Sequence, residues 1–220
     1  RAQDPVGAAL ANFERLRPLI GQKAWQADME FSLSGGPVTQ SIPFFMAMRD
    51  GNSRLEFDLS ALFAAQGAPA GVMPAGLGKL VAIVRPDRNK LTVAVPGLKA
   101  FCEQDMRAAS SNTEAGAAKV ERHVQGREAV GSLDCQKVRT VVTSANATPM
   151  EILIWEAEAL QGLPVKMETR LPEGTATVRF RNVKTEPLDE AQFEPPRDGQ
   201  RYPSVQAMMM TGMMKLMQSP

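Results

Sequence analysis

Residues 25–33 read WQADMEFSL, and Trp25, Ala27, Met29, Phe31 and Leu33 alternate strictly with Gln26, Asp28, Glu30 and Ser32. A period of two puts the apolar set on one side of an extended chain, so the stretch predicts a half-buried antiparallel strand. The pattern repeats outward. After the turn residues Ser34, Gly35, Gly36 and Pro37, residues Ile42, Phe44, Met46 and Met48 alternate again; Asp50-Gly51 is a hairpin signal, and Leu55, Phe57 and Leu59 follow. The first three strands, 24–59, therefore form a meander. Upstream, Asp4-Pro5 is a helix start, and Leu10, Phe13, Leu16, Leu19 and Ile20 recur at helical spacing, predicting a helix over 4–21.

Beyond the meander, residues 60–78 are rich in Gly, Pro and small side chains but keep Leu62, Phe63, Val72, Met73 and Leu77, which predicts an apolar lid-like segment. LVAIV and LTVAV, flanking Arg85 to Lys90, read as a further hairpin leading to Cys102. Residues 107–118 have no period and read as a mobile loop. Strand-like stretches follow around Val120 to Val130, Cys135 to Thr143, Glu151 to Trp155, Val165 to Leu171 and Thr175 to Val183. The expected fold is mainly β (α+β), a single domain over 1–220: one large curved antiparallel sheet of about nine to eleven strands, an open half-barrel, with sheet strands over 79–184. Its concave side would be packed by the N-terminal helix, the lid and a Met-rich C-terminal helix over 204–217.

The bulk numbers bound the function. A chain of 220 residues, 44% hydrophobic and 22% charged, with a formal net charge of +1, has no electrostatic bias toward nucleic acid. No apolar run is long enough to span a bilayer as a helix. A start at Arg1 without an initiator Met predicts a processed or trimmed form. Catalytic motifs are few. His123 is the only histidine, placed among Glu121, Arg122 and Gln125, where a solvated strand position is the expected role. Gly76-Leu77-Gly78-Lys79 has Met73 where a phosphate loop needs its first Gly and Leu80 where it needs Ser or Thr. No enzyme activity, cofactor or metal set of His, Cys and carboxylates is predicted. Cys102 and Cys135 by count alone fit either one disulfide or two buried thiols.

Three blocks, VQGREAVGSLDCQKV (124–138), ILIWEAEALQGLPVKMET (152–169) and NVKTEPLDEAQFEPPRDGQRY (182–202), resemble in that order parts of an uncharacterised family of exported bacterial proteins. That family is similar in turn to the outer-membrane lipoprotein carriers and their receptor partner, the Lol-type superfamily. The resemblance implies an open antiparallel half-barrel around helices, a periplasmic location, with or without a lipidated anchor upstream, and a hydrophobic cavity for acyl chains. It also implies an oxidising compartment, in which a Cys102–Cys135 disulfide is the expected state.

The expected function is non-enzymatic binding of an acyl chain, lipid or other hydrophobic ligand on the concave face of the sheet. Candidate contacts are Trp25, Met29, Phe31, Phe44, Met46 and Phe57. The tail adds Met210, Met213, Met214 and Met217, which a helix from Ser204 would place on one stripe, with Met208, Thr211 and Lys215 opposite. Such a stripe is expected to dock as a fixed plug or a movable cover. Two alternatives stand beside this reading. One is an envelope interaction or sensor module whose cavity is filled by the protein itself. The other is Cu(I) binding by the thioethers of the tail.

Overall fold

The computed structural model describes residues 20, 24–35, 40–61, 77–106, 119–143, 149–172 and 174–218, with the side chains of 40, 213 and 215–218 excepted. The helix expected over 4–21, apart from Ile20, most of the lid and the loop at 107–118 lie outside this set. The alternation at Trp25 forms strand β1 (Trp25–Ser34), and the meander continues as β2 (Gln40–Arg49) and β3 (Asn52–Asp58). Asp50 and Gly51 both take positive φ in the β2–β3 turn, which is why the Asp-Gly pair is needed there. Further strands are β4 (Lys79–Arg85), β5 (Lys90–Val95), β6 (Ala100–Asp105), β7 (Lys119–Val130), β8 (Leu133–Thr143), β9 (Met150–Ala157), β10 (Leu163–Leu171), β11 (Gly174–Lys184) and β12 (Gln200–Tyr202). Helix α1 (Val205–Gln218) closes the described chain. Twelve described strands exceed the expected nine to eleven, because β12 has three residues and no periodicity to read.

All twelve belong to one sheet in the order β12-β6-β5-β4-β3-β2-β1-β11-β10-β9-β8-β7. Every pairing is antiparallel except β12 with β6. The sheet is open, with β12 and β7 at its edges. Chain length requires it to curve. From Met106 to Lys119 there are 13 residue steps, a reach of about 45 Å at most. The strands they connect, β6 and β7, stand ten positions apart, about 48 Å across a flat sheet. β6 ends at the hairpin end of the sheet, where Asp105 pairs Lys90, while β7 begins at the opposite end, where Lys119 pairs Thr143. A flat sheet could not be bridged, so the sheet coils into the expected half-barrel.

The two faces differ. On the inner face the register aligns Trp25, Met48 and Ser53 in one row and Ala27, Met46, Leu55 and Ala82 in the next. Met29, Phe180, Ile152, Ile154, Met167 and Val142 extend the same buried cluster across β11 to β8, and Ile20 is packed into it. At the other end, Leu80, Val93, Val95, Ala100 and Tyr202 form a second inner cluster around Met208 of α1. The outer face is charged around two apolar patches: Cys135, Trp155, Ala157 and Val165 form one buried cluster, and in the other a strap of residues 188–193 lays Leu188 and Phe193 over Ala47, Val81, Ile83 and Ala94. That strap is held by three adjacent strands. Arg49 of β2 donates to the Leu188 carbonyl at 2.7 Å, Arg54 of β3 to Gln192 at 2.9 Å, and buried Arg85 of β4 to the Glu194 carboxylate at 2.6 Å.

The register overturns the disulfide. Cys102 pairs Val93 and points with it to the inner face; Cys135 pairs Ala157 and packs with Trp155 and Val165 on the outer face. They lie on β6 and β8, nine positions apart in the sheet, and both thiols are free and buried. A disulfide needs Cα atoms within about 7 Å, so both distance and facing exclude the bond.

Candidate functional site

The inner face is not uniformly closed. Toward the hairpin end, Trp25, Met29, Met46, Met48 and Leu55 are all buried, and Trp25 packs against Phe180 with ring centroids 5.9 Å apart. Toward the far end of the same strands, Phe31, Leu33, Ile42, Phe44, Phe57 and Val178 are only half-buried. There Phe44 and Phe57, opposite each other on β2 and β3, stack at 5.4 Å. Phe31 and Ile42 face each other on β1 and β2, with Val178 on β11 beside Phe31. The result is an apolar floor sealed at one end and accessible at the other. Of the predicted aromatic and Met contacts, Trp25, Met29 and Met46 fall in the sealed part and Phe31, Phe44 and Phe57 at the mouth.

The tail docks on the inner face, rotated from the expected stripe. Met208 is fully buried and Met209 partly so, while Met210 and Met214 are 59% and 54% exposed. The side chains of Met213 and Met217 lie outside the described residues. The cause is Gly212. A Cβ there would sit 2.3 Å from Leu98 Cδ1, so the helix backbone presses on Leu98 along the Met208–Gly212 side. Ser204 caps the helix, its Oγ accepting from Ala207 N–H at 3.1 Å. Gly212 was the signal for this orientation, legible as a close-approach residue rather than as a helix cost.

Among the described residues, the titratable groups considered for catalysis stand away from this floor. His123 is exposed on the edge strand β7, and burial pushes the Cys135 thiol up, keeping it protonated. Glu156 shares the inner side of the sheet's other end with Arg122, its ion-pair partner. Among the described residues no group of three His, Cys, Asp or Glu side chains converges. A cleft of about 460 Å³ lies at the hairpin end, lined by Ala24, Arg49, Asp50, Gln161, Thr185, Pro187 and Leu188. Its lining mixes polar and apolar side chains and includes none of the floor's aromatic residues.

Sequence reading passed over two inner hydroxyls. Ser53 and Thr140 are wholly buried, and neither Oγ nor Oγ1 has a hydrogen-bond partner. Their inward direction follows from register, with Ser53 beside Met48 and Thr140 beside Ile152, which a single small polar residue does not announce.

No family model matches the chain, and no curated protein matches it in sequence. Solved structures similar to it include the lipoprotein LppX of Mycobacterium tuberculosis, at 12% identity and a TM-score of 0.46 over 85% of this chain and 99% of that one. A LolA superfamily protein of Nitrosomonas europaea aligns at 11% identity and 0.37 over 85% and 97%. A chain of the MucA/MucB complex of Pseudomonas aeruginosa aligns at 14% and 0.44 over 88% and 62%. Each of these likenesses is one of fold alone.

Proposed function

We propose that the chain is a non-enzymatic protein of the bacterial cell envelope that holds an acyl chain or other apolar ligand at the mouth of its inner face. The observation that carries this is the gradient along one apolar floor, from sealed Trp25, Met46 and Met48 to half-buried Phe31, Phe44 and Phe57. An accessible aromatic floor continuous with a core is where a ligand's apolar surface gains most from leaving water. The floor's length suits a chain: from Leu33 to Trp25 it spans eight residue steps, about 26 Å. Native mass spectrometry of the purified protein, with organic extraction of what it carries, tests the proposal. A co-purified or exchangeable lipid is the expected result; an empty protein that takes up no apolar probe overturns it. In Phe57→Asp, a charge in the mouth should weaken uptake by at least tenfold while the sealed half keeps the fold.

Closure of the sealed half favours a second reading, in which the floor is the protein's own core and the module acts through a protein partner. In that case no apolar probe binds. The exposed thioethers of Met210 and Met214, one turn apart on α1, are the observation behind a Cu(I) reading, which fails if the protein retains no Cu(I) against a competing chelator.

A further inference from the structure

Sulfur is placed unevenly in this molecule. Both thiols are free and buried, Cys102 on the inner face and Cys135 on the outer. Met29, Met46, Met48, Met167 and Met208 are buried too, and among the described methionine side chains only Met210 and Met214 are more than half exposed. Oxidation of cysteine follows thiolate character and exposure. Here neither thiol has exposure, and burial also keeps Cys135 protonated.

The two outward thioethers meet no such barrier. They lie one turn apart on the side of α1 that faces away from its seat. Met208 fills the cluster of Leu80, Val93, Val95 and Ala100, and Gly212 rests against Leu98. Oxygen added at Met208 would set a polar S=O group among aliphatic side chains. At Met210 or Met214 the same oxygen enters water and leaves the seat of the helix untouched.

We propose that the outward face of α1 is an oxidation site, at which Met210 and Met214 take oxygen from a two-electron oxidant of the peroxide class before either cysteine and before the buried methionines. The sulfur lone pair attacks one peroxide oxygen; the S–O bond forms as the O–O bond breaks, and sulfur gives up two electrons. The departing hydroxide takes the proton from the sulfur-bound oxygen, so the products are the sulfoxide and water. The oxidised face is polar where the reduced face is apolar, while the seat beneath it is unchanged. Helix α1 thereby changes what its outer side can contact without undocking. The site stands apart from the mouth and does not depend on a ligand there.

The test treats the full chain with limiting hydrogen peroxide, folded and in denaturing urea, and localises the added oxygen by fragmentation mass spectrometry. In the folded protein Met210 and Met214 should oxidise about tenfold faster than Met208, Met46 and Met48, or more. Titration after denaturation should still find both thiols. In urea the methionines should oxidise alike and the thiols should be lost first, because the fold sets the order. Met208 should stay slow after Met210 and Met214 are converted; its acceleration at that point would show the helix leaving its seat and overturn the change of face without undocking. Thiol loss ahead of Met210 and Met214 in the folded protein, or Met208 oxidised as fast as they are, overturns the site itself.

Discussion

Thr140 illustrates what one residue can conceal in a readable pattern. The alternation of β8 marks Val138, Thr140 and Val142 as one face, and that much is legible in the sequence. What alternation does not reveal is that the hydroxyl lies fully buried without a partner. An unpaired buried hydroxyl costs about 1–3 kcal/mol, and valine has nearly the same shape. Thr140→Val is therefore expected to raise stability by about 1 kcal/mol, read from the urea midpoint at unchanged slope; a loss of stability would mean that the hydroxyl is bonded in solution. The cysteines teach the same lesson in reverse. Their count permitted a bond, but facing depends on long-range strand order, which no local spacing encodes. Titration under denaturing, non-reducing conditions should find two thiols per chain, and none would contradict the register.

At the scale of elements, the strap over the outer face was the least legible part. Residues 185–199 carry Pro, Gly and charge with no period to read, yet the arginines of three neighbouring strands hold them, Arg49 and Arg54 by backbone carbonyls and Arg85 by the Glu194 carboxylate. Those arginines occupy outward positions, where solvated charge is the ordinary expectation. Arg85 is the anchor, its guanidinium bonded also to Asp87 at 2.8 Å. Arg85→Met should destabilise the fold by about 2 kcal/mol, by removing a buried donor from partners that remain. Acid should act on the same contacts. The hydrogen bond from Arg85 holds the Asp87 carboxyl below its ordinary range. At Glu56 burial pushes upward, but Arg54 and Lys79 outweigh it and the net shift is downward. Carboxyls depressed in the folded state contribute stability above their unfolded values, near pH 4, and lose it as pH falls through the folded ones. Urea midpoints should therefore be flat from about pH 7 to 5 and decline below about pH 4, with a smaller decline in Arg85→Met.

For the whole molecule, the open sheet was legible because most of its strands advertise a period of two, while the way its ends are finished was not. β7 is exposed along nearly all its length; among the described strands it is the edge, guarded by Glu121, Arg122, Arg127 and Glu128 and by the bulge at Gln125. Such charges and bulges discourage a further strand from adding there. The other end is finished by α1, and its role follows from which cluster it completes. Met208, Val205 and Met209 join Leu80, Val93, Val95 and Ala100, whereas Phe44 and Val178 at the mouth pack against the separate cluster that contains Trp25, Met29, Met46 and Phe180. Phe57 alone among the mouth aromatics touches both. That division favours a fixed plug over a movable cover. Deleting residues 203–220 exposes the floor of β4 to β6, and each fully buried side chain of Met208's kind contributes about 1.5–3 kcal/mol. The truncated protein should lose about 3 kcal/mol or more in urea unfolding, bind a hydrophobic dye at the bared floor, and keep its affinity for an apolar probe at the mouth within about threefold. A protein whose stability is unchanged but whose probe affinity drops tenfold would make α1 the cover instead, because the helix would then be acting on the ligand and not on the fold.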